Sequence, residues 1–417
     1  MSSNRHPLLE RQPLPDVAGL RSFAEKIRRH LFEHILPFWC GPALDHEQGG
    51  WMAWLSNELQ PDRSQPKGLI VNSRILWAFS AVHRAQPSEL HRQMAERAFD
   101  VIMNHFWDAK HGGAFWWLDG DSHVLEDSKK IYGQAFYIYA LAEFHQAFNP
   151  PAALVRAKEL FVLIEQHAHD EKFGGYLEAR RRDWSEASDV RLSEKDMNEQ
   201  KSMNNHLHVL EAYTNLYRIW KNPLVAQRLR ELLLIFEQHI LNPFTQHLHH
   251  FFDERWDVRS DTYTFGHDIE ASWLLCEAAE VLGDEQLLQR VRKIALHMAE
   301  AILTEGLSAD GSLCYEGKEG RIIDHGKECW PQAEAVVGFI NAFQLSGDAR
   351  YLSAAERVWN YAEQHLVDRV HGEWFWRINE NGQPDATLPK VSEWKGPYHV
   401  SRACLETMQR LKNICGD

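Results

Sequence analysis

Six short stretches of this 417-residue chain crowd together side chains that can do chemistry. They are Asn72 and Arg74; Tyr132 and Gln134; Asn204, His206 and His208; His267, Asp268 and Glu270; Trp330, Gln332 and Glu334; and Tyr398, His399 and Arg402. Imidazole titrates near working pH, so these groups suit reversible proton transfer, and the chain carries 24 histidines. If helical, His267 and Glu270 share a face at i,i+3, where a carboxylate can orient an imidazole or raise its basicity. Metal chemistry fits less well. His206 and His208 at i,i+2 point to different faces, and His247-Leu-His249-His250 has neither a cysteine nor a carboxylate at ligand spacing, so no metal is expected. Of the 16 tryptophans, Trp116, Trp117, Trp330, Trp374, Trp376 and Trp394 sit in or beside turns. Most tryptophans serve core packing, but Trp330 and Trp394 adjoin reactive stretches and offer flat faces on which the C–H side of a sugar ring can stack.

A single polar residue at a helix start is usually a cap or a satisfied core group. What gives these six weight is their register. Each follows a turn that runs into an aromatic-rich, strand-like segment, and the turns recur at intervals of a little over sixty residues. The clearest are Asp45…Gly49-Gly50-Trp51, Asp108…Gly112-Gly113-Ala-Phe115-Trp116-Trp117, Asp170…Gly174-Gly175-Tyr176 and Asp368…Gly372-Glu-Trp374-Phe375-Trp376, with weaker copies at Asn242 to Asp253 and Asp310 to Tyr315. Such a period sets the fold. Apolar residues at helical spacing predict one helix before each turn (Leu20 to Ile35, Leu90 to Phe106, Ala152 to His167, Pro223 to Ile240, Glu285 to Ile302, Ala349 to His365). They predict another after it (Leu69 to His83, Gln134 to Phe148, His206 to Trp220, His267 to Leu282, Pro331 to Leu345, Ser401 to Leu411). Twelve helices in six hairpins must stack to bury their apolar faces, and closing the row removes its exposed ends. The expectation is an all-α (α/α)6 barrel with inner and outer helix rings. An open solenoid would want polar capping units at both ends, and none is seen. In the closed ring all inner helices begin at one end, so the six stretches converge on one cavity.

No linker interrupts the repeat, so residues 1–417 are expected to form a single domain, with 1–19 a flexible N-terminal extension. The longest irregular stretch, Ala179 to Lys201, has the length of a functional loop and is expected to be a lid. Lysines and arginines number 45 against 59 acids, a net charge of −14 that disfavours nucleic acid and anionic membranes. Six widely spaced cysteines without a C-x-x-C pair, and no apolar opening segment, suggest a reducing cytoplasm. The stretch Gly311 to Glu319 departs from a phosphate-binding loop in glycine spacing and puts Glu319 where a hydroxyl is needed.

Several segments together resemble the N-acylglucosamine 2-epimerase superfamily: Lys67-Gly-Leu-Ile-Val-Asn-Ser-Arg74-Ile-Leu-Trp77, Tyr132-Gly-Gln-Ala-Phe136, Met203-Asn204-Asn-His-Leu-His208, Phe265-Gly-His267-Asp-Ile-Glu270-Ala-Ser-Trp, Trp330-Pro-Gln-Ala-Glu334 and Trp394-Lys-Gly-Pro-Tyr-His399-Val-Ser-Arg402. The similarity runs from about Leu20 onward and is strongest to its cellobiose 2-epimerase branch. The resemblance implies a cofactor-free barrel that inverts C2 of an aldose, a small sugar being its partner, with a monomer or homodimer as the assembly. By the same carry-over His267 and His399 match the acid/base pair. Arg74, Tyr132, Asn204, His208 and Glu270 match sugar-contacting or orienting positions, Trp330 and Trp394 match stacking residues, and Asp196 falls at a further polar contact. Val400 and Asn205 depart from the pattern, so the choice between disaccharide and monosaccharide stays open.

The implied chemistry is demanding. Only the ring-opened aldehyde makes the C2 proton acidic; one imidazole would remove it, giving a cis-enediolate, and the other would return a proton to the opposite face. Arg74 and neighbouring donors could stabilise the charge on O1 and O2. Protonation at C1 instead would give a ketose, so an aldose–ketose isomerase or mannose 2-epimerase is the neighbouring alternative. Glycoside hydrolysis by Glu270 and Glu334 would leave the histidines surplus, and a non-catalytic sugar- or protein-binding module would not need them.

Overall fold

The computed structural model describes residues 17–417. Twelve helices alternate between two rings. The outer ring is α1 (17–39), α3 (89–106), α5 (Pro151–His167), α7 (223–240), α9 (Glu285–Glu305) and α11 (349–366); the inner ring is α2 (Leu69–Ala85), α4 (Ile131–Phe148), α6 (Met203–Ile219), α8 (Phe265–Leu282), α10 (Cys329–Ser346) and α12 (Tyr398–Cys415). Each inner helix packs on the next, and α12 returns to α2, so the ring is closed and the open stack is excluded. Inner helices are buried nearly all round, while outer helices bury one stripe, as for α3, where His91, Met94, Ala95 and Ala98 face inward.

Each inner helix turns tightly into the outer helix that follows it. The last inner helix has none to follow, and α1 fills that place: it packs against α12, and Arg21 Nε reaches Asp417 Oδ2 at 2.8 Å. Residues 1–16 of the expected extension lie outside the described residues, while Val17 to Gly19 already belong to α1.

From outer to inner helix the chain takes a longer path through a tight turn. Asp108 shows how it works: its amide donates to Gly113 O, its carbonyl accepts from Gly112 N, and its Oδ1 accepts from Lys110 N at 3.0 Å. Gly112 and Gly113 both have positive φ, which explains the glycine pair in the motif. Asp45, Asp170 and Asp368 repeat the arrangement. The strand just before each of the first five inner helices then pairs with one beyond the next turn: β1 (Lys67–Gly68) with β2 (Trp117–Leu118), which also pairs with β3 (Val124–Glu126); β4 (Lys129–Lys130) with β5 (Ala179–Arg180); and β6 (Lys201–Ser202) with β7 (Phe251–Phe252). Likewise β8 (Tyr263–Thr264) pairs with β9 (Glu316–Lys318), which pairs with β10 (Arg321–Asp324), and β11 (Lys327–Glu328) pairs with β12 (Arg377–Ile378). A bridge from Leu55 to Val391 joins the first unit to the last. These short antiparallel ladders stitch every unit to its neighbour at the mouth where the inner helices begin.

Candidate active site

The local register of each inner helix decides which side chains reach the cavity. Just before five of the six lies a buried or nearly buried lysine (Lys67, Lys129, Lys201, Lys327, Lys395); Tyr263 holds the place before α8. Lys129 bonds Asp108 at 3.2 Å and Lys201 bonds Asp170 at 2.8 Å, so the lysine ties the helix start to the preceding turn. The seventh residue after that position is Arg74, Phe136, His208, Glu270, Glu334 or Arg402, and these six form a ring inside the barrel. The Arg74 guanidinium lies 4.5 Å from the Phe136 ring, and Phe136 lies 4.8 Å from His208. Arg402 bonds Glu270 and Glu334 across the far side.

Two residues earlier on a helix is the opposite face. The side chains there are pins. Gln134 exchanges two hydrogen bonds with Ala114, and Gln332 exchanges two with Leu313. His206 Nε2 accepts from Tyr176 N at 2.8 Å, Asp268 Oδ1 accepts from Leu248 N at 2.9 Å, and Asn72 donates to Gly68 O at 2.8 Å. These five, grouped by sequence with the reactive residues, hold the turn segments and helix starts in place. His247, which in sequence lacked a carboxylate, stands 2.7 Å from Asp268 and 3.2 Å from Glu305 and is part of the same scaffold.

A cavity of about 700 Å³ opens at this mouth, and Arg74, Tyr132, Asp196, Asn204, His208, Glu270, Trp330, Trp394, His267 and His399 all line it. His267 and His399 both pack against one indole: ring centroids lie 4.7 Å from His267 to Trp330 and 5.5 Å from Trp330 to His399. Their supports differ. His267 Nδ1 lies 2.6 Å from Thr264 Oγ1, whereas His399 Nδ1 lies 2.7 Å from Glu334 Oε1. Burial drives both imidazoles well below the ordinary pKa, assisted by neighbouring histidines and Arg74 at His267 and by Arg74 and Arg402 at His399. Burial thus favours the neutral ring at both positions, and Nδ1 of each is engaged by its support.

Beneath them is a buried polar layer. Burial alone would raise the Glu211 carboxyl, but Arg402, His208 and Tyr398 outweigh it and hold its pKa at about 2. Glu270 has less help: burial and the Glu334 charge push it up to about 7, and its Oε2 finds no partner among the described residues. Glu270, Glu334 and His399 place ligand atoms within 4.8 Å of one another, a spacing that could hold a cation. The Arg402 guanidinium already bonds both carboxylates, so the protein supplies the cation itself. The same bonds leave Glu270 and Glu334 side by side on one arginine, unlike two carboxylates that flank a scissile bond.

Arg74 donates to Tyr132 Oη at 3.0 Å and to Trp394 O at 3.1 Å, which fixes both residues. Trp394 packs edge-on against buried Trp116, and Trp330 Nε1 donates to Glu328 Oε2 at 3.1 Å. The 179–201 stretch contributes Leu192, Ser193, Lys195 and Asp196 to the cavity rim, with Asp196 Oδ2 accepting from Ser193 N at 2.8 Å. Sequence reasoning did not single out Trp376, Arg377, Asn379 and Asp385, which also line the cavity and lie in and around β12, after α11, without helical periodicity. It also missed the lysine register, though the spacing from Lys67 to Arg74 recurs in the other units and was there to be found.

The chain is an isomerase built on a helical barrel and belongs to the N-acylglucosamine 2-epimerase (GlcNAc 2-epimerase) family, whose profile matches residues 50–403. It is an isomerase, a sugar 2-epimerase. The chain is 42% identical to a cellobiose 2-epimerase of Bacteroides fragilis over 92% of its own length and 98% of that protein. It also superposes on the structure of a cellobiose 2-epimerase from Spirochaeta thermophila with a TM-score of 0.88 at 40% identity, covering 95% of this chain and 98% of that one. A D-mannose isomerase structure matches with a TM-score of 0.79 at 20% identity, covering 94% and 97%, and shares the fold.

Proposed function

We propose that the chain inverts C2 of the reducing-end aldose of a β-1,4-linked disaccharide such as cellobiose, with His267 and His399 as the two proton carriers. The observation that carries this reading is the pair of imidazoles that line one cavity beside Trp330, a cavity with room for two sugar rings. Once the reducing ring opens, the aldehyde makes the C2 proton acidic. Nε2 of one neutral imidazole takes that proton, the electron pair delocalises into the carbonyl, and the other imidazole, first protonated at Nε2 from solvent, gives that proton to the opposite face of C2 and returns to the neutral form. Each positioned acid or base contributes about 10²–10⁴-fold. Arg74, pinned by Tyr132 and Trp394, offers its charge to the oxyanion, and the unpartnered Glu270 oxygen accepts a sugar hydroxyl. Asn204, His208 and Asp196 supply further polar contacts, and Trp394 supplies a stacking face for the second ring.

The relatives named for cellobiose support the disaccharide, and the six free cysteines accord with a reducing cytoplasm. Among the described residues no helix is long and apolar enough to cross a membrane. The test is to run the protein with cellobiose in D₂O without added metal or nucleotide. Deuterium at C2 of the epimer, at a rate indifferent to EDTA, is expected. Epimer formed with full retention of protium overturns the two-histidine mechanism, and turnover of mannose but not cellobiose reassigns the substrate.

A further inference from the structure

The barrel has a second mouth. At the C-terminal ends of the inner helices lies another cavity, of about 730 Å³ and so about as large as the first. The layer that separates the two includes Arg402 and Glu211, which line the lower one. Its floor is aromatic: Trp77 stacks on Tyr139 with centroids 5.3 Å apart and planes at 17°, and Trp273 lies alongside.

One turn further out the wall becomes polar, with Glu143 of α4, Asn215 of α6 and Glu277 of α8 at equivalent positions. A barrel closed for structure alone would be plugged here with apolar side chains, because buried polar groups cost free energy unless they are paired. The charges are balanced in place. Arg84 bonds Glu143 at 2.8 Å, and Arg218 pairs with Glu277, so these two arginines are not spare cations for an anion. Two donors that line the cavity are left over, the Nε–H of Arg402 and one indole N–H. Trp77 is 6% exposed, lines the cavity, and its indole N–H has no acceptor among the described residues.

An aromatic platform, a spare N–H and charge-balanced amide and carboxylate oxygens suit a neutral ring bearing several hydroxyls. Its C–H face would cover the Trp77–Tyr139 pair, one hydroxyl would accept from the indole, and others would donate to Asn215, Glu143 or Glu277. We propose that this lower cavity is a second carbohydrate site, which takes a neutral monosaccharide-sized ring and takes no part in the proton transfer above.

The probe is radiolabelled methyl β-D-glucopyranoside, whose locked acetal cannot open and so is not turned over, counted by equilibrium dialysis against the full chain. The expected result is a binding equivalent that survives Trp394→Ala, at the upper mouth, but is lost in Ala81→Trp, whose indole fills the lower cavity. Asn215→Leu, which removes the amide, is expected to lose the same equivalent and serves if Ala81→Trp does not fold. Loss of all bound probe in Trp394→Ala, or an unchanged count in the folded lower-cavity variants, overturns the proposal. The count does not depend on whether the upper cavity epimerises cellobiose, so the two readings fail separately.

Discussion

His267 and His399 pack against the same indole and share a pKa lowered by burial, yet the units that carry them treat them differently. Thr264 holds His267 through a hydroxyl, and Glu334 holds His399 through a carboxylate that Arg402 and Trp273 also bond. A hydroxyl fixes orientation with little charge preference. A carboxylate also stabilises the imidazolium that forms once a proton arrives. Pseudo-sixfold repetition therefore delivers two bases at like positions, while residues outside the repeat's consensus make them chemically unequal.

The largest effect should come from removing either ring. His267→Asn and His399→Asn are each expected to lower kcat by at least about 10²-fold with the fold retained; a variant that keeps more than about a tenth of wild-type turnover breaks the pairing. Next come the supports, where the comparison is sharpest. A hydrogen bond to a charged group is worth about 1.5–3 kcal/mol and a neutral one about 0.5–1.5. Glu334→Gln should then cost roughly 10–100-fold in kcat and Thr264→Val roughly 2–10-fold. Equal losses would show that the two supports serve orientation alone.

The pH profile addresses the shared property. Since both pKa values lie below the ordinary 6.5, both rings stay neutral as pH falls from 8 through 6.5, and kcat/KM should fall only in more acidic solution, where protonation removes the base. An acid limb centred at or above 6.5 would show that burial does not set their basicity. The smallest effect is expected at the rim: Trp394→Ala should weaken cellobiose by about 0.5–1.5 kcal/mol and glucose by less. Parallel inhibition constants for the two sugars settle whether its indole meets the second ring.

Much of the scaffold was legible because it repeats. The Asp…Gly-Gly turns announce themselves through residues that tolerate positive φ, and the twelve helices follow from apolar spacing. Helix starts were the weak point. The structure begins α4, α6, α8, α10 and α12 a few residues earlier than the apolar pattern does; at α4 and α6, Tyr132 and Asn204 interrupt that pattern where they turn to the cavity. Periodicity fades where function begins. For the same reason Gln134, His206, Asp268 and Gln332 looked like site chemistry: in sequence, polar residues that pin a turn are indistinguishable from polar residues that meet a ligand. The Tyr398–Glu211–Arg402 layer was out of reach altogether, since it joins α6 to α12 and only the closed ring brings them together.

That closure has a consequence for how the molecule is made. α1 leaves the ribosome well before α12, the helix it packs against. At about 5–20 residues per second, the apolar stripe of Leu20, Phe23 and Ile27 waits roughly 20–80 s for its partner. Contacts of such sequence separation make for slow folding. A nascent chain short of its final helix would be a row of hairpins with two sticky ends, open to pairing with a second copy, and His399 and Arg402 would be missing from it altogether. Chemistry and ring closure therefore arrive together, with α12.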